Sequence, residues 1–351
     1  MNCLFELSDM YLENLKNIYI DDYAKLLGEL CMNRVASIAY KNIKGNLLTS
    51  FPKQFVDSLY AIYKMDCSRN LWFRKCILYM ERILQNVSFK YALLKGAYLI
   101  PNVYPLGCRN SNDIDILLDE KDISNCQDVL IENGFVQGFY NPQQGIVPAS
   151  RKDIVFSRIN YGETIPFCKQ IDNEVLMIDL NFSLDFKPEG KRNLVREMLS
   201  DRKKVIFQDG YYYSLSDNDF LIHLCCHLYK EATTMNWVAE KRDLDLYKFS
   251  DINVLMMNVK YDYEKLFERV IDLEVSKEFY FALYYTLKIY VQLTRNDALN
   301  NILRKLEPKD KRYLDFVFDP KSNQYYQYKQ PFIERFNCKN REELLEVYMD
   351  E

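Results

Sequence analysis

The segment Asn112-Asp113-Ile114-Asp115-Ile116-Leu117-Leu118 admits few structures. Its alternation of Asp113 and Asp115 with Ile114 and Ile116 reads as a strand. Side chains alternate across a strand, so Asp113 and Asp115 share one face while Ile114 and Ile116 take the other. Two carboxylates held a few ångströms apart repel unless a cation lies between them. Mg²⁺ takes oxygen ligands and binds carboxylates together with substrate phosphates, so it suits that place. Upstream, Leu93-Leu94-Lys95-Gly96-Ala97 reads as a short strand running into a glycine turn, and Arg109 lies in the link between the two. Such a pair of strands fits a site where a nucleoside triphosphate is attacked.

The surroundings set an α+β frame. At 351 residues the chain has room for one large domain or two to three smaller ones. Residues 1–86 read as a helical N-terminal region: Phe55, Leu59, Ile62 and Tyr63, then Trp72, Cys76, Tyr79 and Ile83, recur at helical spacing. Gly28 and Gly45 read as breakers and Pro52 as a helix start. Residues 87–189 read as a small core with a mixed or largely antiparallel sheet. Its strands are expected at 89–94, 114–118, 155–159, 164–171 and 175–182. A helix capped by Asp122 and closed by Asn133-Gly134 is expected to bury Ile123, Cys126 and Leu130. The segment 137–153, with Gly138, Pro142, Gly145 and Pro148, reads as a loop. Residues 190–351 read as mainly helical, with a hairpin over 205–215 turning at Asp209-Gly210 and a helix capped by Ser216.

Bulk properties narrow the partners. The net charge of −4 argues against a broad nucleic-acid-binding surface while leaving room for a local basic pocket. Ten cysteines are scattered without paired metal spacing and read as reduced thiols of a cytoplasmic protein. Met1 to Asp9 lack a basic stretch followed by an apolar one, so no secretion signal is expected. No apolar run reaches membrane-spanning length, so no membrane partner is expected either.

The Lys95-Gly96 turn, Arg109, Asn112-Asp113-Ile114-Asp115, the later Ile178-Asp179-Leu180 and the helix Phe220 to Leu228 together resemble the uncharacterised nucleotidyltransferase family. That family belongs to the DNA polymerase β-like nucleotidyltransferase superfamily. The resemblance spans roughly residues 55–255. It implies a small mixed-sheet core flanked by helical regions, a two-metal site loaded with Mg²⁺ (or Mn²⁺), and an NTP donor with ATP ranked first. Asp113 and Asp115 would be catalytic metal ligands, with Asp179 as the third carboxylate and a proton acceptor, chosen over its neighbours Asp172, Glu174 and Asp185. The Gly96 and Ala97 N–H groups would meet the triphosphate at a helix N-terminus, and Lys95 and Arg109 would neutralise phosphate charge. The chain departs from many relatives in having Ala97 where they have serine, Pro101 early in the following helix, and Asn181 where a histidine is frequent.

Other features read more plainly. His223 and His227 stand on one helical face at a spacing that suits zinc, but without a third ligand they read as helix packing. Arg242, Asp243, Asp245, Lys248 and Asp251 read as a solvated helix face, Asp251 matching a family position of unknown role. Tyr211-Tyr212-Tyr213 reads as a half-buried hairpin, because a base-stacking surface would want interleaved Lys and Arg. The expected activity is therefore transfer of a nucleoside monophosphate from an NTP to a hydroxyl or phosphate of a small molecule or peptide, with one acceptor wall from the C-terminal helices. A non-catalytic nucleotide-binding module and an RNA-modifying toxin-type transferase are the alternatives; nucleic acid is not the expected partner.

Overall fold

The computed structural model describes residues 3–12, 20–46, 50–161, 164–184, 194–338 and 340–349. Asp185 and the expected boundary at 189–190 lie outside these. The chain packs into two compact units, one of Met1–Arg34 with Leu221–Glu351 and one of Val35–Phe220. The N-terminal part of the first unit carries helices α1 (Cys3–Ser8) and α2 (Tyr23–Met32). The Asp22 carboxylate caps α2 by accepting the Lys25 N–H at 2.9 Å.

The Val35–Phe220 unit opens with α3 (Ala36–Asn46) and the long α4 (Lys53–Leu84), which starts after Pro52 as its sequence predicts. Phe55, Leu59 and Cys76 lie on its buried face. Gly28 and Gly45 break nothing: they sit inside α2 and α3. A helix-interior glycine costs only about 1 kcal/mol against alanine, which neighbouring residues offset. After α4 come β1 (Tyr91–Leu93), α5 (Gly96–Asn102), β2 (Asp113–Leu118) and α6 (Ile123–Glu132). Ile123, Cys126 and Leu130 of α6 are buried. Asp122 stands at its N-cap without a side-chain bond; Asp119, one turn earlier, accepts the Lys121 N–H instead.

Two expectations between 136 and 161 are corrected. The segment read as a loop holds a hairpin, β3 (Val136–Asn141) and β4 (Gly145–Pro148). Gly138 serves close strand approach there, since a Cβ would lie 2.1 Å from the Val147 carbonyl oxygen. The strand expected at 155–159 is helix α7 (Arg151–Tyr161). Ser150 and Asp153 start it reciprocally: the Asp153 N–H donates to Ser150 Oγ at 3.3 Å and the Ser150 N–H to Asp153 Oδ2 at 3.3 Å.

Next come β5 (Phe167–Ile171), β6 (Glu174–Asn181), α8 (Leu194–Ser200), and a hairpin of β7 (Lys203–Phe207) and β8 (Gly210–Ser214). The sheet runs β1-β2-β6-β5-β3-β4, with β2 and β6 parallel and the other neighbours antiparallel. It is a mixed sheet in an α+β fold. Ile114, Ile116, Ile178 and Leu180 form a fully buried apolar face of β2 and β6. The β7–β8 turn centres on Gln208-Asp209, one residue before the expected place, because Phe207 pairs with Gly210. A Cβ on Gly210 would fall 2.8 Å from the Glu81 carboxylate, so glycine serves close packing rather than the turn.

Helix α9 (Asp217–Ala232) begins with the Asp219 N–H donating to Ser216 Oγ at 3.3 Å. In the Leu221–Glu351 part follow α10 (Met235–Ala239), α11 (Leu246–Asn258), α12 (Tyr263–Asp272), α13 (Ser276–Ile289) and α14 (Asp297–Leu306). Helices were expected to continue to the end. Instead β9 (Phe316–Asp319), β10 (Gln324–Tyr328) and, after α15 (Phe332–Asn337), β11 (Leu345–Val347) form a three-stranded sheet. The charged stretch after α10 is not a solvated face: Asp243, Lys248 and Asp251 are buried. Asp243 accepts the Arg341 guanidinium, and Lys248 pairs with Glu231. On α9 the rings of His223 and His227 lie parallel, 6.3 Å apart, and His227 Nε2 is 3.4 Å from Glu231. No described helix is long and apolar enough to cross a membrane.

Candidate active site

The site is assembled from the turn between β1 and α5, strand β2 and strand β6. The β1–β2 ladder extends one residue past β1, where the Leu94 N–H donates to the Asp115 carbonyl oxygen at 3.0 Å. Lys95 then turns the chain with φ 43° and ψ −118°, a conformation that favours glycine and costs a side-chain-bearing residue about 1–3 kcal/mol. Strain of this kind persists where the surroundings over-determine it. Here it aims the lysine side chain at β2, where Nζ lies 2.7 Å from Asp115 Oδ1.

Gly96 follows because nothing larger fits: a Cβ would lie 2.6 Å from Ser111 Cβ. Gly96 and Ala97 are both buried at the start of α5. The Ala97 N–H donates to the Leu94 carbonyl oxygen at 3.0 Å, and α5 has only seven residues with Pro101 inside it. A helix that short carries little macrodipole. The Ala97 carbonyl oxygen accepts the Tyr212 hydroxyl at 3.0 Å, which ties the turn to the β7–β8 hairpin.

Parallel pairing then brings the third carboxylate in. Asp115 and Asp179 are register partners, as are Asp113 and Met177, and Leu117 and Asn181. Paired residues project to the same face, so Asp113, Asp115, Asp179 and Asn181 share one side of the sheet. The Asn181 amide confirms the shared face by donating to Asp115 Oδ1 at 3.3 Å. Asp115 is nearly fully buried, while Asp113 and Asp179 are half-exposed. Asp172 and Glu174, the rivals of Asp179, lie exposed where β5 turns into β6.

Several positioning groups escaped the sequence reading. Ser111 Oγ donates to Asp113 Oδ1 at 2.8 Å; its place two residues before Asp113 continues the alternation, so the signal was there. Asn70 of α4 holds the loop that carries Arg109: its amide donates to the Arg109 carbonyl at 2.8 Å and to Asn110 Oδ1 at 2.9 Å, and its Oδ1 accepts the Gly107 N–H at 2.8 Å. One turn earlier, Asp66 Oδ2 accepts Ser37 Oγ at 2.5 Å. Burial pushes the Asp66 carboxyl above the usual carboxylate range, against the opposing pull of Ser37, Asn110 and Arg69. No local sequence pattern links α4 to residues 107–110. Arg109 itself is buried, its guanidinium donating to the Asn110 carbonyl oxygen.

The donor set suits a hard divalent cation in kind, with three carboxylates on one face and two of them in register. Among the described residues, no three His, Cys, Asp or Glu side chains are gathered as they would be around a metal ion. At Asp115 the neighbouring positive charge is the Lys95 ammonium, 2.7 Å from Oδ1.

No curated protein matches the chain. Among solved structures, an antigenic nucleotidyltransferase-like protein from Paracoccidioides brasiliensis is similar at 14% identity, covering 65% of this chain and 91% of that one with a TM-score of 0.39. A family model described as uncharacterised nucleotidyltransferase matches residues 21–290, most of the length and both strands of the carboxylate face. The chain belongs to that uncharacterised nucleotidyltransferase family.

Proposed function

We propose that the chain transfers a nucleoside monophosphate from an NTP, ATP first among the donors to test, to a hydroxyl or phosphate of an acceptor. Family membership supports nucleotidyl transfer in general. The observation that carries the finer reading is the parallel register of Asp115 with Asp179, with Asp113 on the same face and Lys95 poised above it.

Asp113, Asp115 and Asp179 would hold Mg²⁺ or Mn²⁺. Such an ion neutralises phosphate charge and acidifies an acceptor hydroxyl. Asp179, half-exposed, takes the acceptor proton. The acceptor oxygen forms a bond to the α-phosphorus, the bond from that phosphorus to the bridging oxygen breaks, and pyrophosphate leaves with the electron pair. Lys95 and Arg109 are the cations assigned to the triphosphate and the leaving pyrophosphate. Ser111 and Asn181 keep Asp113 and Asp115 aimed. All ten cysteines are free thiols, which fits the cytoplasmic setting of this proposal.

The Lys95–Asp115–Asn181 contacts satisfy Asp115 without a metal, which favours a second reading as a nucleotide-binding module. One experiment separates the two. Melting temperature is measured with ATP, GTP, CTP or UTP, with and without Mg²⁺, for the native chain and for Asp113→Asn. Transfer chemistry requires a metal-dependent rise with at least one nucleotide that the variant loses. A metal-independent rise kept by the variant supports the module, and no rise with any nucleotide removes the donor site.

A further inference from the structure

The β7–β8 hairpin has two unlike faces. Inward, Val205, Phe207 and Tyr212 are buried. Outward, the register sets Lys204 opposite Tyr213 and Ile206 opposite Tyr211, with Arg202 one alternation further along. Lys204 Nζ stands 3.5 Å from the centre of the Tyr211 ring, and the Arg202 guanidinium 4.2 Å from that of Tyr213. The Tyr211 and Tyr213 rings meet edge to face at 5.8 Å, and the buried Tyr91 of β1 backs Tyr213 at 5.8 Å. Ile206 is 69% exposed. Asp201 and Asp209 stand at the two ends of the hairpin, outside the row.

Cations and rings are therefore interleaved across the strands, although in linear order Arg202-Lys203-Lys204 and Tyr211-Tyr212-Tyr213 are separate blocks. We propose that this outer face docks single-stranded nucleic acid, with phosphates on Arg202 and Lys204 and bases against Tyr211, Tyr213 and Ile206. An acidic peptide would use the two cations and leave the rings without a role; unpaired bases use both. Duplex hides its base faces, so it would use only the cations. Because the chain carries net charge −4, long-range attraction is weak and stacking must supply much of the affinity. The proposal runs counter to the expectation that nucleic acid is not a partner.

The hairpin is fastened to the candidate site. Tyr212 bonds the Ala97 carbonyl at 3.0 Å, and Ser214 Oγ donates to the Leu93 carbonyl at 2.8 Å. A nucleic-acid strand docked on the outer face would lie on the same unit as the Lys95 turn and could serve as acceptor. That last link rests on the transfer reading; docking does not, so it is measured without NTP.

The test is fluorescence anisotropy of a labelled single-stranded RNA of mixed sequence, with the full chain over a salt series. Lys204→Glu and Ile206→Glu alter exposed side chains, and each is expected to weaken binding about tenfold or more. Arg202→Ala with Lys204→Ala is expected to flatten the slope of log affinity against log salt by about 1.4, for two lost phosphate contacts. The RNA should bind more tightly than its duplex, inorganic polyphosphate or poly-glutamate. Equal competition by poly-glutamate would assign the face to acidic proteins, equal competition by polyphosphate would leave no role for the rings, and unchanged variants would remove the site; each outcome overturns the proposal.

Discussion

Two ion pairs, a buried one and a part-buried one, one in each unit, show what separates a structural contact from a poised one. Arg341 grips Asp243 as a fork: Nε lies 2.9 and 2.8 Å from the two carboxylate oxygens, and Nη2 2.6 Å from Oδ1. The Asp243 side chain has no exposure at all. A bidentate guanidinium fixes both partners in direction as well as distance. Lys95 touches Asp115 through one ammonium at 2.7 Å, its side chain 19% exposed and its backbone strained. An ammonium is a point charge with no directional demand, so another cation can take its place. The first pair closes a core; the second joins a buried carboxylate to a partly exposed lysine.

Chemical denaturation separates the two pairs. Arg341→Ala leaves Asp243 buried without its partner and is expected to lower unfolding free energy by about 3–5 kcal/mol in chemical denaturation. Gly96→Ala is expected to cost about 1–3 kcal/mol, because the added methyl must displace Ser111 and the Asp113 bond with it. Lys95→Gly loses the ion pair but relieves the positive φ. Its net change is expected within about 1 kcal/mol, since Asn181 still bonds Asp115. A loss for Lys95→Gly as large as that for Arg341→Ala would end the distinction.

The smallest effect concerns Asp66. Its carboxyl titrates higher in the folded chain than in the unfolded one, chiefly through burial. The folded state therefore holds the proton more tightly, and Asp66 costs stability once ionised in both states. Stability should fall as pH rises from about 4 through the raised value, opposite in sign to an ion-paired carboxylate. Asp66→Asn should flatten that part of the pH–stability curve, and an unchanged curve would show that Asp66 does not contribute to it.

The carboxylate strand was legible because period-two alternation is a local property: Asp113 and Asp115 on one face and Ile114 and Ile116 on the other need no tertiary knowledge. Asp179 was reachable from its own strand, but its register with Asp115 was not. Helix α7 was misread from Val155, Phe156 and Ile159, a stretch too short for periodicity to decide, while its start signal, Ser150 followed three residues later by Asp153, went unread. The hairpin β3–β4 hid behind Gly138, which serves close strand approach, and Gly145, which takes a positive φ. Asp243 seemed solvated because Arg341 lies 98 residues away in sequence. Lys204 and Tyr213 became neighbours only through pairing, which no linear scan of basic and aromatic residues detects.

The parallel pairing of β2 with β6 has a consequence for how the chain is made. Lys95 and Asp115 are 20 residues apart, whereas Asn181 and Asp115 are 66 apart. Loop closure favours the shorter contact. Synthesis runs from N- to C-terminus, so both partners of the Lys95–Asp115 contact emerge before the strand that bears Asp179, and the shorter loop favours their pairing first.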